Sequence, residues 1–258
     1  MSTNRIRERW GRQEIVIDCW LSGSSMTLAE SIGKLGYDSV VIDMQHTMAD
    51  FRDIVGCLIA LTGTGTAALV RVPGNDSSMI QKVLDAGADG IMCPMVNNPA
   101  DAKAFVGAVR YPPMGVRSNG AFRTKDGPRE YFRSANETVV TLAQIETREA
   151  MDNLDAIVAT PGLDAVFVGP SDLSISYGGE PNMDYTDPVT AKRHQEIIDA
   201  AHRAGKKAGM LALTPPDVPL AVEWGMDFIS VGMDSMLAIL GARAALERGL
   251  TATNQKVQ

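Results

Sequence analysis

The sequence predicts a (β/α)8 barrel formed by residues 1–258 as a single domain. Eight short apolar runs alternate with helical segments from end to end, and no linker or low-complexity stretch interrupts the alternation. Most of these runs are apolar at consecutive positions, which is typical of parallel strands that are buried on both faces. A chain of 258 residues is long enough for one barrel of this kind.

The strands are predicted where the apolar runs lie between turn residues. The predicted strands are residues 15–21, 39–44, 67–72, 90–96, 139–145, 165–168, 207–213 and 228–231. In such a barrel the carboxyl ends of all strands meet at one rim. Polar residues that follow different strands are therefore expected to surround one small ligand.

Four helices between the strands carry recognisable start signals. The predicted helices are residues 26–35 after Ser24, 51–61 after Asp50, 100–110 after Asn98-Pro99, and 189–204 after Asp187-Pro188. Proline is tolerated in a first turn because its missing donor would have no partner there. Gly36 and Gly205 are expected to end two helices in a left-handed conformation. His194 and His202 are expected to lie solvated on the last of these helices.

The segment from Tyr111 to Asn136 is rich in Pro, Gly and Arg and shows no clear periodicity. Long irregular loops in compact domains are often functional. We therefore expect this segment to border the site. The alternative is a solvated excursion whose arginines form surface pairs; these are Arg117, Arg123, Arg129 and Arg133.

Composition restricts the class of partner. The net charge is −7 with a pI near 5.0 and no basic tract, which argues against nucleic acid or an anionic membrane as a ligand. Cys19, Cys57 and Cys93 are widely spaced within apolar runs and are expected to be buried thiols. The polar first residues lack a signal-peptide core, and no run suffices to span a bilayer, so a cytoplasmic location is expected.

Two acidic residues follow adjacent predicted strands. Glu146 ends the run Gln144-Ile145-Glu146, and the two-residue repeat of a strand places Gln144 and Glu146 on the same side. Asp172 follows the next strand in the sequence Gly169-Pro170-Ser171-Asp172. Two carboxylates with water suit magnesium or manganese. The alternative is that each acid caps a local turn or helix without a metal.

A histidine and an arginine follow two further strands. His46 lies three residues after Asp43, and a nearby carboxylate would raise the basicity of its imidazole for proton transfer. A core histidine bonded to the backbone is the alternative. Arg71 ends the third strand, where its guanidinium could stabilise an enolate or carboxylate oxygen. An ion pair at the rim is the alternative for Arg71.

Several ordered motifs resemble the HpcH/HpaI class II aldolases, and the resemblance covers roughly residues 15–248. The matching segments are YDSVVIDMQH at 37–46, VRVP at 70–73, PMV at 94–96, RYPPMGVR at 110–117, QIET at 144–147 and GPSDLS at 169–174. The best-known members carry an acid where Gln45 stands. Ser118 replaces a glycine that is common after the loop arginine. The loss of charge at Gln45 puts the substrate range in doubt, but not metal binding.

The resemblance implies a metal-dependent aldolase of the phosphoenolpyruvate and pyruvate-binding barrel superfamily, which joins or separates a 2-oxo acid such as pyruvate and an aldehyde. The resemblance implies that Glu146 and Asp172 hold a magnesium, manganese or cobalt ion. It implies that Gln144 and the backbone of Ser171 and Asp172 bind the oxo acid. His46 would be the acid/base group, and Arg71 would stabilise the transition state. Asp85 would match the acid that enhances the basicity of the histidine. Leu213 and the segment from Tyr111 to Asn136 are expected to shape the acceptor pocket.

The resemblance also implies a homo-oligomer, with a hexamer favoured. The C-terminal segment 236–246 is apolar enough to be exchanged between subunits. Two other functions are considered. A lyase acting on a coenzyme A thioester, such as a citrate lyase beta subunit or a malyl-CoA lyase, would share the barrel and the two acids. A non-catalytic barrel would bind metal and pyruvate but leave His46 dispensable.

Overall fold

Eight parallel strands close into a barrel in chain order in the computed structural model, which describes residues 4–124, 127–214 and 216–253. The strands are β1 Val16–Leu21, β2 Ser39–Asp43, β3 Ala67–Arg71, β4 Gly90–Cys93, β5 Val140–Ile145, β6 Ala165–Val168, β7 Lys207–Ala212 and β8 Phe228–Met233. β1 pairs with both β2 and β8, so the sheet has no free edge. The predicted (β/α)8 barrel is confirmed.

Helices connect the strands on the outside of the barrel. The helices of the described residues are α1 Arg5–Gly11, α2 Met26–Gly33, α3 Phe51–Leu61, α4 Ser77–Asp85, α5 Pro99–Val109, α6 Pro128–Thr138, α7 Arg148–Asp152, α8 Leu154–Val158, α9 Pro170–Ser176, α10 Pro188–Arg203, α11 Asp217–Trp224 and α12 Asp234–Thr253. No helix of the described residues is long and apolar enough to cross a membrane.

The predicted boundaries differ from the structure at a few positions. β4 ends at Cys93 rather than at residue 96, because Pro94 follows and Met95 adopts a left-handed conformation with φ 55°. α2 is capped by Ser25, whose hydroxyl accepts from the Leu28 amide, and not by Ser24. The predicted caps Asp50, Asn98 and Asp187 each accept amide hydrogen bonds from the first turn of their helices.

Alternate strand positions point into the barrel and fill it with apolar side chains. Large buried residues of this interior are Val16, Trp20, Val41, Leu69, Met92, Leu142, Phe167, Leu211 and Phe228. The ring of Phe167 lies 5.7 Å from that of Trp20 and 6.1 Å from that of Phe228, centroid to centroid. Each such side chain contributes about 1.5–3 kcal/mol through burial. The interior is thus a packed core, and it supports the residues that follow the strands at the carboxyl end of the barrel.

The amino end of the barrel carries a sequence pattern that repeats four times. A glycine, an apolar or aromatic residue and an aspartate precede each even-numbered strand, as Gly36-Tyr37-Asp38, Gly87-Ala88-Asp89, Gly162-Leu163-Asp164 and Gly225-Met226-Asp227. All four glycines have positive φ. Each aspartate carboxylate accepts the amide of a residue in the preceding odd-numbered strand. The pattern therefore ties the strands together at this end.

More than half of the described residues of the segment from Tyr111 to Asn136 are exposed, and Arg133 forms the expected surface pair with Glu130. Its last part belongs to helix α6. Arg117 is buried, pairs with Asp85 at 2.9 Å, and stacks on the ring of Tyr111 with its guanidinium carbon 4.6 Å from the ring centroid. The amides of Phe122 and Arg123 donate to the Asp85 carbonyl at the end of α4. The segment thus packs toward the amino end of the barrel.

His194 is fully buried, so the prediction of a solvated side chain is wrong. It lies on the buried face of α10, where Thr190, His194 and Ile198 follow the four-residue spacing of a helix. The imidazole packs against the rings of Tyr185 and Trp224. Burial lowers its pKa to about 4. All three cysteines are buried and unpaired, as predicted.

Candidate active site

Glu146 is the centre of the polar residues at the carboxyl end of the barrel. It directly follows β5 and is 2 % exposed. One carboxylate oxygen accepts the Met95 amide at 2.7 Å, and the other accepts the side-chain amide of Gln144 at 3.2 Å. Gln144 and Glu146 therefore share one side, as the two-residue repeat predicts.

Two backbone features hold Glu146 in this position. Met95 has the left-handed conformation that costs a non-glycine residue about 1 kcal/mol or more, and this conformation directs its amide at the carboxylate. A Cβ atom on Gly169 would lie 2.3 Å from the Glu146 Oε2 atom. Residue 169 must therefore be glycine for Glu146 to occupy its present place.

The electrostatics of Glu146 favour a bound cation. Burial is the main cause that raises the pKa of its carboxyl to about 7; the Met95 amide and Arg71 oppose the rise, and the charge of Asp172 adds to it. Asp172 lies exposed in the first turn of α9. The Oε1 atom of Gln144 is buried without a hydrogen-bond partner. An ion beside the two carboxylates would offset their repulsion.

These residues fit a hard divalent ion that takes part of its coordination from water or substrate. Within the described residues no group of three or more His, Cys, Asp or Glu side chains could hold a metal. Two carboxylates alone are nevertheless sufficient for magnesium, which keeps several waters and is often held by one or two carboxylates. Glu146 and Asp172 match that arrangement.

Arg71 is held in a fixed orientation beside this pair. Its guanidinium donates to both carboxylate oxygens of Asp43, at 2.9 and 2.5 Å. It also lies over the ring of Trp20, 4.6 Å from the centroid, and the indole nitrogen of Trp20 donates to Asp43 at 3.4 Å. Although burial alone would raise it, hydrogen bonds and the charge of Arg71 keep the pKa of Asp43 below its ordinary value. The ion pair considered for Arg71 is thus present.

His46 lies in the loop after β2, where its side chain is exposed and has no hydrogen-bond partner among the described residues. Asp43 does not orient it, because that carboxylate is bonded to Arg71, to the indole of Trp20 and to the Gln45 amide. The imidazole is therefore free to reach a ligand. The backbone-bonded core histidine considered as its alternative is not what the structure has.

Three further residues were predicted to belong to the site: Leu213, Ser171 and Asp85. Leu213 follows β7, is half-buried, and packs against the barrel interior. Ser171 lies in the first turn of α9, next to Asp172. Asp85 ends α4 and pairs with Arg117, so within one chain it does not meet His46. A role for Asp85 beside a histidine stays a prediction that requires a neighbouring subunit or a relay.

Sequence reasoning did not single out three residues of the site. Trp20 supports Arg71, Met95 donates to Glu146, and Gly169 makes room for it. Trp20 carried a usable signal, because it follows Asp18 and Val16 at strand spacing on the inward face. Met95 lies in the matching segment PMV at 94–96, but the sequence does not indicate its role, which depends on the backbone conformation and not on the side chain.

Comparison with known proteins agrees with this arrangement. The family model described as HpcH/HpaI aldolase/citrate lyase matches residues 17–240. A hydroxypyruvate/pyruvate aldolase of Rhizorhabdus wittichii is 39% identical over 245 residues, which is 93% of this chain and 96% of that protein. A 5-keto-4-deoxy-D-glucarate aldolase of Enterobacter sp. (strain 638) is 36% identical over 90% of this chain and 91% of that protein.

A solved structure extends the comparison to three dimensions. An HpcH/HpaI aldolase/citrate lyase family protein from Burkholderia cenocepacia J2315 superposes with a TM-score of 0.87 at 31% sequence identity. The match covers 95% of this chain and 99% of that one. The whole barrel is therefore shared with that protein.

Proposed function

This chain belongs to the HpcH/HpaI aldolase/citrate lyase family, and on that premise we propose that it is a class II aldolase. It makes or breaks a carbon–carbon bond between pyruvate, or a related 2-oxo acid, and an aldehyde. The observation that carries this proposal is the buried Glu146 carboxylate with Asp172 and Arg71 within its electrostatic reach. Two acids and one fixed cation suit a reaction that develops negative charge on oxygen.

Glu146 and Asp172 would hold the divalent ion, which we propose to be magnesium, manganese or cobalt. When bound, such an ion supplies Lewis acidity that lowers the cost of forming an enolate from a 2-oxo acid. Gln144 has an amide beside Glu146 and an unpartnered buried oxygen, so it is well placed to bind the oxo acid. The first-turn amides of Ser171 and Asp172 lack intrahelical acceptors and would add donors to it.

Arg71 would stabilise the negative charge of the enolate, and His46 would transfer the proton. The guanidinium of Arg71 is fixed by Asp43 and Trp20, so it can stabilise the enolate oxygen without first reorganising. His46, exposed and unpartnered, would move the proton of the aldehyde-derived hydroxyl, directly or through a water. Leu213 would face the acceptor.

Assembly into a homo-oligomer, with a hexamer favoured, is part of the proposal. Helix α12 supports it, because most of its residues are exposed although several are large and apolar. These include Leu237, Ile239, Leu240 and Leu246. Such a helix is expected to pack on a neighbouring subunit, and its exchange between subunits stays a prediction.

The two alternative functions have less support than the aldolase function. A thioester lyase of the citrate lyase type is not favoured, because the two relatives above, each matched over 90% or more of its length, are named aldolases. A barrel that binds the oxo acid without turnover would leave His46 dispensable. Loss of aldol turnover in His46→Asn, with pyruvate binding unchanged, would exclude that possibility.

The exchange of pyruvate methyl protons with deuterated water, followed by NMR, tests the proposal without any knowledge of the acceptor. Metal-stripped protein is measured before and after addition of magnesium, manganese or cobalt. We expect exchange with a divalent ion and a loss of about 10²- to 10³-fold or more in Glu146→Gln. Glu149→Gln, an exposed acid three residues away, is the matched control. A folded protein that gives no exchange with any of these ions would contradict the proposal.

A further inference from the structure

The loop between α9 and α10 is held against the carboxyl end of the barrel at two points. The side-chain amide of Asn182 donates to the Thr190 hydroxyl, in the first turn of α10, at 3.2 Å. The Tyr185 hydroxyl donates to the Leu211 carbonyl of β7 at 2.5 Å. The backbone between Asn182 and Tyr185 is therefore fixed relative to β7.

The ring of Tyr185 makes the second of these attachments rigid. It is 3% exposed and lies edge-on to two other rings, with its centroid 5.5 Å from that of His194 and 6.3 Å from that of Trp224. His194 lies on α10 and Trp224 on α11, so the ring is enclosed by the two helices that flank β7 in the chain. Packing therefore directs the hydroxyl at the Leu211 carbonyl.

The register of the sheet places Leu211 at the height of Glu146. Three residues pair with one another across β5, β6 and β7, namely Gln144, Phe167 and Gly209. Two residues further along these segments come Glu146, Gly169 and Leu211. Glu146 and Gly169 are in contact, because a Cβ atom on Gly169 would lie 2.7 Å from the Glu146 Cβ atom. Adjacent strands are about 4.8 Å apart, so Leu211 lies roughly 10 Å from Glu146.

Apolar side chains that remain partly exposed surround Leu211. Among the buried residues of the barrel interior in the described chain, Leu211 keeps the largest exposed fraction, 8%. Met183, Leu213 and Met233 are half-buried and pack against this interior from the carboxyl end, whereas Trp10 does so from the amino end. Active sites of such barrels lie at the carboxyl end. We call the four residues there the apolar rim: Met183, Leu211, Leu213 and Met233.

The apolar rim adjoins the polar groups proposed for the donor. Those groups follow β3 and β5, as Arg71, Gln144 and Glu146 do. The two sets meet at Trp20, which lies under the guanidinium of Arg71 and pairs with Met233 across β1 and β8. An aldehyde that reacts with the donor directs its carbonyl at the polar groups. Its hydrocarbon chain is then left with the apolar side of the mouth.

We propose that Met183 is a specificity-determining residue whose side chain contacts the hydrocarbon chain of the acceptor aldehyde. Tyr185 is the positioning residue that holds the loop of Met183 against β7. This inference rests on the proposed aldolase function and adds to it a residue that selects among acceptors. A methionine suits the role, because its unbranched, polarizable side chain adapts to apolar groups of different length.

The test measures the addition of pyruvate to four aldehydes that differ only in chain length: acetaldehyde, propanal, butanal and pentanal. In the parent protein each added methylene should raise kcat/KM by about two- to fourfold, as partial to full burial of a methylene predicts. In Met183→Ala we expect kcat/KM for pentanal to fall by about fivefold or more, and that for acetaldehyde to change by less than about twofold. The loss should appear in the KM for the aldehyde, because the chain is bound alike before and during the reaction.

Three further variants separate this contact from a structural role. Met183→Leu keeps an apolar side chain of similar volume and should retain the dependence on chain length. Tyr185→Phe removes only the hydroxyl that binds the Leu211 carbonyl, and it should weaken that dependence in the same direction as Met183→Ala. Met26→Ala is the matched control. It removes a methionine that is 51% exposed on the outer helix α2, and it should behave as the parent with every aldehyde.

The inference would be overturned by a parent protein that does not distinguish the four aldehydes, or by an equal loss for all of them in Met183→Ala. A gain for pentanal in Met183→Ala would also overturn it, because Met183 would then limit the length of the pocket instead of binding the chain. Pyruvate methyl exchange in the parent involves no acceptor, so it reports on the proposed function alone. If exchange occurs but chain-length dependence does not involve Met183, only the inference fails. If the parent shows no exchange with any ion, the proposed function fails.

Discussion

The two ends of the barrel use carboxylates in opposite ways. At the amino end, Asp38 and Asp164 each accept a strand amide and two arginines. At the carboxyl end, Glu146 is buried with only an amide and a side-chain amide as partners, and Asp172 has no hydrogen-bond or salt-bridge partner among the described residues. Asp38 and Asp164 are thus paired with cations within the chain, whereas at the carboxyl end Asp43 is paired with Arg71 but Glu146 and Asp172 have no ion-pair partner among the described residues.

This difference indicates where stability and function reside in the fold. A buried charge is costly unless it is paired and hydrogen-bonded, so the amino end stabilises the barrel by giving Asp38 and Asp164 both amide and arginine partners. The raised pKa of Glu146 shows that the carboxyl end retains part of that cost. Changes at the amino end should therefore lower stability, and changes at the carboxyl end should lower activity.

The largest effect on stability is expected from Asp164→Ala. This change leaves the guanidinium of Arg110, whose side chain is 2 % exposed, without its counter-ion, and it removes the acceptor of the Thr141 amide and one of the two acceptors of the Thr141 hydroxyl. Loss of one partner of a buried pair costs about 3–5 kcal/mol. Denaturant unfolding should show this loss, while pyruvate exchange per folded molecule should be preserved.

A surface pair provides the matched control for Asp164→Ala. Asp155 and Arg203 also form an ion pair, but their side chains are 85% and 65% exposed. Asp155→Ala should not change the unfolding midpoint measurably, because exposed pairs contribute little. If both variants behaved alike, the amino-end carboxylates would have no special role in stability.

Gly169→Ala should lower activity more than stability, the opposite of Asp164→Ala. The added methyl would occupy space now held by the Glu146 side chain, 2.3 Å from its Oε2 atom, so the carboxylate must move. Displacement of a reacting group by about 1 Å can cost about 10²-fold in rate, and overpacking costs about 1–3 kcal/mol in stability. We expect pyruvate exchange to fall by about 10- to 100-fold in a protein that remains folded.

Gly107→Ala distinguishes a local effect from a general one. A Cβ atom at Gly107, within helix α5, meets no atom within 4 Å, so the change should be neutral or slightly stabilising. Its exchange rate should equal that of the parent. Unaltered exchange in Gly169→Ala would mean that the position of Glu146 is not critical, and the contrast between the two ends would fail.

The parts of this architecture that depend on local periodicity are predictable from the sequence. Consecutive apolar positions identify the strands, and proline, aspartate and asparagine identify the helix starts. The contact between Gln144 and Glu146 follows from strand alternation alone. The Gly–x–Asp pattern at the amino end is also visible in the sequence, because it recurs before every even-numbered strand.

Contacts between distant segments could not be predicted in the same way. Arg71 depends on Asp43 and Trp20, which lie on two other strands, and strand spacing alone does not specify their distances. The partner of Asp85 is Arg117, in a segment without periodicity, and α6 lies in that same segment. His194 looks like a surface residue until the aromatic rings that cover it are known.

Asp18 lies in the barrel interior, away from both ends, and offers an intermediate case. Its carboxylate accepts from the hydroxyls of Ser39 and Ser230, each at 2.7 Å, but forms no ion pair within the described residues. Burial raises its pKa to about 7, because two hydroxyls do not compensate fully for lost hydration. In this respect Asp18 resembles Glu146, although no ligand is expected to reach it.

Asp18→Asn should therefore alter the pH dependence of stability by a modest amount. An unfolded aspartate has a pKa near 3.9, so between about pH 4 and 7 the folded state holds a proton that the unfolded state has lost. Stability from this group is full at low pH and falls as the pH rises through the folded pKa. Denaturant unfolding at pH 5 and pH 8 should show Asp18→Asn gaining about 2–3 kcal/mol relative to the parent over that interval. Parallel pH profiles would mean that the hydroxyls of Ser39 and Ser230 stabilise the Asp18 carboxylate as well as arginines stabilise Asp38 and Asp164. The difference between the two ends of the barrel would then depend on hydrogen bonding rather than on charge pairing.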